Sequence, residues 1–120
     1  MMPDFTPVES VPELHITDRT EGTGAVVVPG DMVTCHYTGA VAKTGAVFQS
    51  SRDFGRPISF PLSGVIAGWT EGVPGMKVGG MRRLLIPAAK AYGHTPPYGS
   101  GIPADADLVF DIELVAIEGK

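Results

Sequence analysis

The sequence predicts an α+β domain, an antiparallel sheet with one short helix packed on its apolar face. Three observations carry this. Several short segments alternate apolar and polar residues with the period of two that a half-buried strand requires. One segment alone has a helical pattern: Ile66, Trp69 and Val73 recur at i, i+3 and i+7 within Val65–Val73. The chain's 16 glycines and 11 prolines have no period, so they read as turns between short strands.

Taken in order along the chain, the elements are these. Residues 1–12 hold three prolines and read as an extended N-terminal arm, mobile unless it docks. Residues 13–120 form the single domain. In Glu13–Arg19, Leu14 and Ile16 alternate with polar neighbours, a half-buried strand. Ala25–Val28 is a short strand between turns at Glu21–Gly24 and Pro29–Asp31. In Met32–Thr38, Val33, Cys35 and Tyr37 share one face and Thr34, His36 and Thr38 the other. Ala46–Gln49 and Ile58–Leu62 are further short strands. Ser63 is placed to cap the helix start, and Pro74-Gly75 ends it. Met81–Ile86 is a strand, and Ala88–Tyr92 one helical turn. Residues 93–106 form a long loop, a length often tied to function. In Asp107–Val115, Leu108, Phe110, Ile112 and Leu114 alternate with Asp111 and Glu113, giving one buried and one solvated face.

Composition excludes several function classes. A net charge of −4 argues against binding nucleic acid through phosphate attraction. No run approaches the roughly 18 apolar residues of a membrane helix, and the N-terminus shows no secretory signal pattern. A single cysteine, Cys35, excludes an internal disulfide and a cysteine-based zinc site. The expected setting is cytoplasmic, with no metal and no cofactor.

The polar inventory is thin for ordinary catalysis. His15, His36 and His94 fall on separate elements and read as solvated or locally bonded. Cys35 reads as a small core residue, and Ser50-Ser51 as a pair of turn hydroxyls with no base beside it. Asp53, after Arg52, reads as pairing with a nearby cation. The aromatics say more: Tyr37, Phe48, Phe60, Trp69, Tyr92 and Phe110 each lie on or beside the apolar side of a different element. Periodicity alone makes them core. A lone tryptophan on a short helix facing a sheet also suits the floor of an apolar pocket.

Nine segments in order decide between these readings: Val33–Gly39, Val47–Asp53, Pro57–Phe60, Val65–Trp69, Glu71–Val73, Met76–Gly79, Ala91–Gly93, Gly101–Pro103 and Leu108–Leu114. Each is weak alone, but together, with this spacing, they are highly specific. The chain resembles the FKBP family, the macrolide-binding peptidyl-prolyl cis-trans isomerases, from about Leu14 to Ile117. The resemblance implies a strongly twisted antiparallel sheet of about five strands wrapped around one short α-helix. It implies a pocket floored by Trp69, its indole face open to a ligand. Tyr37, Phe48, Phe60, Val65, Ile66, Ile102 and Phe110 form the walls, with Ile58 where the family often has an aromatic. It implies hydrogen-bond donors in the Ile66 N–H and the Tyr92 hydroxyl, and catalytic roles for Tyr92, Phe110, Trp69 and Gln49.

The function implied is acceleration of X–Pro bond rotation, assisting protein folding. The expected partners are proline-containing peptides and unfolded proteins, with rapamycin or tacrolimus as possible ligands of a monomer. No nucleic acid and no membrane are expected as partners. One departure stands out. The family usually has Asp directly after the pocket Phe, where this chain has Gln49. An amide both donates and accepts hydrogen bonds and carries no charge. That keeps a second reading open: a low-turnover module that binds proline peptides or macrolides.

Overall fold

The computed structural model describes Met2 and residues 4–120, with only the backbone of Arg52 and Phe54. Asp53, expected to pair with a nearby cation, forms no ion pair with the described side chains. The two segments with the longest alternation become the two longest strands. They are β2 (Met32–Val41) and β6 (Leu108–Ile117), paired antiparallel with Tyr37 opposite Ile112 and Gly39 opposite Phe110. Around them lie β1 (His15–Thr20), β3 (Val47–Ser50), β4 (Ile58–Pro61) and β5 (Met81–Ile86), with one helix, α1 (Ala67–Gly72). The strand order is β1-β5-β6-β2-β3, with β4 also on β2.

The sheet has six strands, where about five were expected. The outer edge of β2 is long enough to take two short strands in succession. β4 pairs with Met32–Cys35 and β3 with Thr38–Ala40. Between them the outer edge of β2 at Tyr37 meets neither β3 nor β4, and buried peptide groups need partners. The Ser51 hydroxyl fills the gap, accepting from the Tyr37 N–H at 2.8 Å and donating to the Tyr37 carbonyl at 3.3 Å. Ser51 is wholly buried, so it is a substitute for a missing strand, not the turn hydroxyl expected.

Two other expectations are corrected. Ala25–Val28 contributes only an isolated bridge, Val26 to Lys77. β1 is exposed along its length, and Ile16 keeps 42% of its surface. It is an edge strand paired only with β5, so its alternation has no second layer to face. Leu14, just before it, does pack on the core.

Strand alternation sends Val33, Cys35, Tyr37, Leu84, Ile86, Leu108, Phe110, Ile112 and Leu114 into one cluster with Trp69 and Val73 of the helical segment. The helix is shorter than its sequence pattern, because Ile66 and Val73 occupy its cap positions. Ser63 does not cap it: no side chain bonds the N-terminus. At the other end Arg82 donates to the carbonyls of Gly72 (2.7 Å) and Pro74 (3.2 Å), satisfying acceptors that a helix C-terminus leaves open. The helix lies very close to the sheet. A Cβ on Gly68 would come within 2.5 Å of Ile86, and one on Gly72 within 2.9 Å of Leu84.

The reverse face is not left to solvent. Ala40 and Val109 are buried with Met2, and Phe5 packs against them. The arm is held by N–H bonds from Met2 to Gly45, Val8 to Ala42 and Val11 to Asp107. Arg83 donates to the Asp4 carbonyl at 2.6 Å and lies 5.5 Å from the Phe5 ring centre. Arg83 also forms a two-point ion pair with Asp111, its cross-strand partner. Among the described residues no helix is long and apolar enough to cross a membrane.

Candidate active site

Four rings from four elements meet where α1 crosses the sheet. Trp69 lies 5.5 Å from Tyr37, 5.3 Å from Phe60 and 5.5 Å from Phe110, all edge to face. This arrangement sets positive ring edges against negative faces and stabilises each pair beyond its area burial. Phe48 extends the wall, edge-on to Phe110 at 5.8 Å. Gly39 makes that possible, since a Cβ there would come within 2.8 Å of both rings.

Above Trp69 lies a cavity of about 260 Å³ lined by Tyr37, Gln49, Phe60, Gly64, Val65, Ile66, Trp69, Tyr92 and Phe110. Eight of the eleven site residues expected from the sequence are therefore brought together here. Phe48 and Ile102 line an adjoining groove that Gln49 and Tyr92 share, with Asp53 and residues 97–100 of the long loop. Ile58 lies apart, in an outer depression with Arg56, Pro57 and Ser59. It precedes Phe60 by two residues and packs partly on the core, but does not reach the cavity. Trp69 is 4% exposed and lines the cavity, so its indole closes the cavity base. Gly64 and Gly39 were not singled out from the sequence, because a glycine's part here is the room it leaves.

The cavity is apolar with few polar groups. Burial raises the hydroxyl pKa of Tyr37, and its neighbour Tyr92 raises it further; burial does the same to Tyr92. Both hydroxyls stay protonated at neutral pH and can donate. Among the described residues neither hydroxyl, nor the Ile66 N–H at the helix start, bonds to another protein group. Gln49 is exposed at the rim.

The other candidates are occupied elsewhere. His36 Nδ1 is 3.0 Å from Ser51 Oγ, a base within reach of a hydroxyl that the sequence did not reveal. That oxygen is wholly buried and bound to the Tyr37 backbone, so no substrate can approach it. His94 pairs with Asp105. Burial pushes the Cys35 thiol up to about 12, leaving it inert. No cluster of three or more metal-ligating side chains occurs among the described residues.

Residues 24–115 match the family model of the FKBP-type peptidyl-prolyl cis-trans isomerases. The chain belongs to this family. It is 51% identical over 112 residues to a probable FK506-binding protein of Corynebacterium glutamicum, covering 92% of both chains. It is 50% identical over 93 residues to the peptidyl-prolyl cis-trans isomerase FPR2 of Saccharomyces cerevisiae, covering 76% of this chain and 68% of that one. Among solved structures, AtFKBP13 superposes with a TM-score of 0.78 at 35% identity, covering 89% of this chain and 94% of that one. FkpA of Escherichia coli gives the same score at 40% identity, covering 87% of this chain and 47% of that one. As an FKBP-type enzyme, the chain is a peptidyl-prolyl cis-trans isomerase.

Proposed function

We propose that isomerisation takes place in the cavity above Trp69, with the substrate's proline ring seated among Tyr37, Phe60, Trp69 and Phe110. The X–Pro amide is planar and resonance-stabilised, and rotation must cross about 18–20 kcal/mol. In the twisted transition state that resonance is lost and charge separation falls. A dry, aromatic site therefore disfavours the planar amide relative to the twisted one. This differential effect, not tight binding, lowers the barrier. Tyr92 donates a hydrogen bond to a substrate carbonyl and fixes orientation, and the Ile66 N–H offers a second donor. No nucleophile is required. The observation that carries this reading is the meeting of four ring edges around a cavity whose hydroxyl donors have no protein partner among the described residues.

The test is protease-coupled isomerisation of a short X-Pro-Phe peptide, with emission of the sole tryptophan followed on ligand addition. Turnover with a shift in Trp69 emission supports the assignment. Turnover that leaves the emission unmoved at saturating ligand sinks the seat on Trp69. The protein is further inferred to act as a cytoplasmic monomer on proline-containing and unfolded chains.

We further infer that macrolides such as rapamycin or tacrolimus insert part of their ring into the same cavity, with Gln49 at its rim. A neutral acceptor binds a hydroxyl more weakly than a carboxylate does, since charge-assisted hydrogen bonds are about twice as strong. Gln49→Asp is therefore expected to tighten macrolide binding by about 1 kcal/mol, several-fold in Kd, and to raise peptide turnover modestly. Unchanged affinity would mean that Gln49 does not face the bound macrolide. A rise in turnover from undetectable would instead favour the low-turnover binding module, the reading that Gln49 supports.

A further inference from the structure

Tyr92 is the one cavity donor carried by a loop rather than by the sheet or the helix. Its hydroxyl bonds to no other protein group among the described residues, so the turn beneath it sets its position. That turn runs from the 3₁₀ segment Ala88–Lys90 to Gly93 and is organised around Ala88. The Ala88 carbonyl accepts from both Ala91 N–H (3.0 Å) and Gly93 N–H (2.9 Å), bracketing Tyr92. The Ala88 N–H donates to Asp107 Oδ1 at 2.9 Å.

Asp107 has a second engagement. Its Oδ2 accepts from the Val11 N–H of the N-terminal arm at 2.7 Å, while its own carbonyl accepts from Ala42 N–H at 2.9 Å. It stands directly before β6, the strand that carries Phe110. One residue thus joins the arm, the sheet and the turn bearing Tyr92. On the far side, Lys90 of the same turn pairs with Glu71 of α1, the helix carrying Trp69.

We propose that Asp107 is a positioning residue for Tyr92, and that through it the N-terminal arm supports the catalytic turn. A carboxylate taking two backbone N–H bonds is a stronger tie than a neutral acceptor, and a hydroxyl displaced by a fraction of an ångström loses much of its orienting effect. The proposal rests on the role given to Tyr92 above.

The test is a double-mutant cycle on peptide kcat/KM, with urea unfolding measured on the same four proteins. Asp107→Ala is expected to lower kcat/KM roughly fivefold. In a Tyr92→Phe background it should have little further effect on kcat/KM, while its stability loss persists in both backgrounds. A parallel cycle with Asp107→Asn, which keeps the shape and one acceptor, serves if the alanine variant does not fold, and should show the same pattern at smaller amplitude. An equal loss of kcat/KM in both backgrounds, or none in either, overturns the positioning role and leaves Asp107 a support of the fold. If Tyr92→Phe alone leaves kcat/KM unchanged, the reading of Tyr92 fails first and separately.

Discussion

The two faces of the sheet carry cavities of nearly equal size and opposite character. The front one, about 260 Å³, is walled by Tyr37, Phe60, Trp69 and Phe110. The rear one, about 240 Å³, is lined by Asp4, Arg19, His36, Tyr37, Thr38, Met81, Arg83, Asp111 and Glu113. Both draw on β2 and β6, whose successive residues point to opposite faces, so a shift of one residue in either strand would send polar side chains into the front cavity. What separates them is spent bonding capacity. In the rear, Arg83 is bound to Asp111 and to the Asp4 carbonyl, and Arg19 lies 3.8 Å from Asp4. In front, the hydroxyls of Tyr37 and Tyr92 bond to no protein group among the described residues. Concavity alone does not distinguish the two; hydroxyls left free to meet a guest do.

This contrast can be broken from either side. The largest effect is expected from Phe110→Ala. It removes a ring that is 3% exposed and touches Trp69, Tyr37 and Phe48. Urea unfolding should show a loss of about 3–5 kcal/mol, and kcat/KM should fall with it. Asp111→Ala strikes the rear face alone. It leaves the nearly buried Arg83 guanidinium without its carboxylate, for a loss of about 3 kcal/mol. Peptide kcat/KM of the folded protein should stay unchanged, and a fall there would mean that the faces communicate.

Tyr92→Phe should do the converse. The unfolding midpoint stays near that of the natural protein, while kcat/KM drops roughly fivefold for one lost hydrogen bond. The smallest expected effect is that of pH. The tyrosine hydroxyls have raised pKa values, so kcat/KM should be flat from about pH 6 to 9. A break near neutrality would mean that a group other than these two hydroxyls controls the reaction.

The legible part of the sequence has a physical boundary. Residues that alternate between a core and an outside revealed themselves, as with Val33, Cys35 and Tyr37 on β2 and Phe110 and Ile112 on β6. The site came from ordered motifs rather than from periodicity, which by itself reads Trp69 as core. Contacts between distant segments left no local trace. Nothing in residues 1–12 announces that Met2 packs on Ala40 and Val109, or that Val11 bonds Asp107. Ile16 has the pattern of a buried residue, yet its strand lies at an edge with no layer over it. Ser51 reads as a turn residue, because the gap it fills exists only once β3 and β4 share one edge of β2. Ile58 stands where the family often has an aromatic, and it lies outside the cavity.

The near contact of Gly68 and Gly72 with Ile86 and Leu84 has a consequence for anyone redesigning ligand size. Helix and sheet already touch backbone to side chain, so cavity depth cannot be adjusted from the helix. A methyl on Gly68 meets three atoms of Ile86 within 2.8 Å and would lever the tryptophan-bearing segment outward. Room for a bulkier or slimmer guest must be sought on β5. Trimming Ile86 to Val or Leu84 to Val lets the floor settle lower without touching any group that contacts the guest. A library varied at those two positions would sample cavity depth gradually, whereas one varied along α1 would mostly return proteins that fail to close.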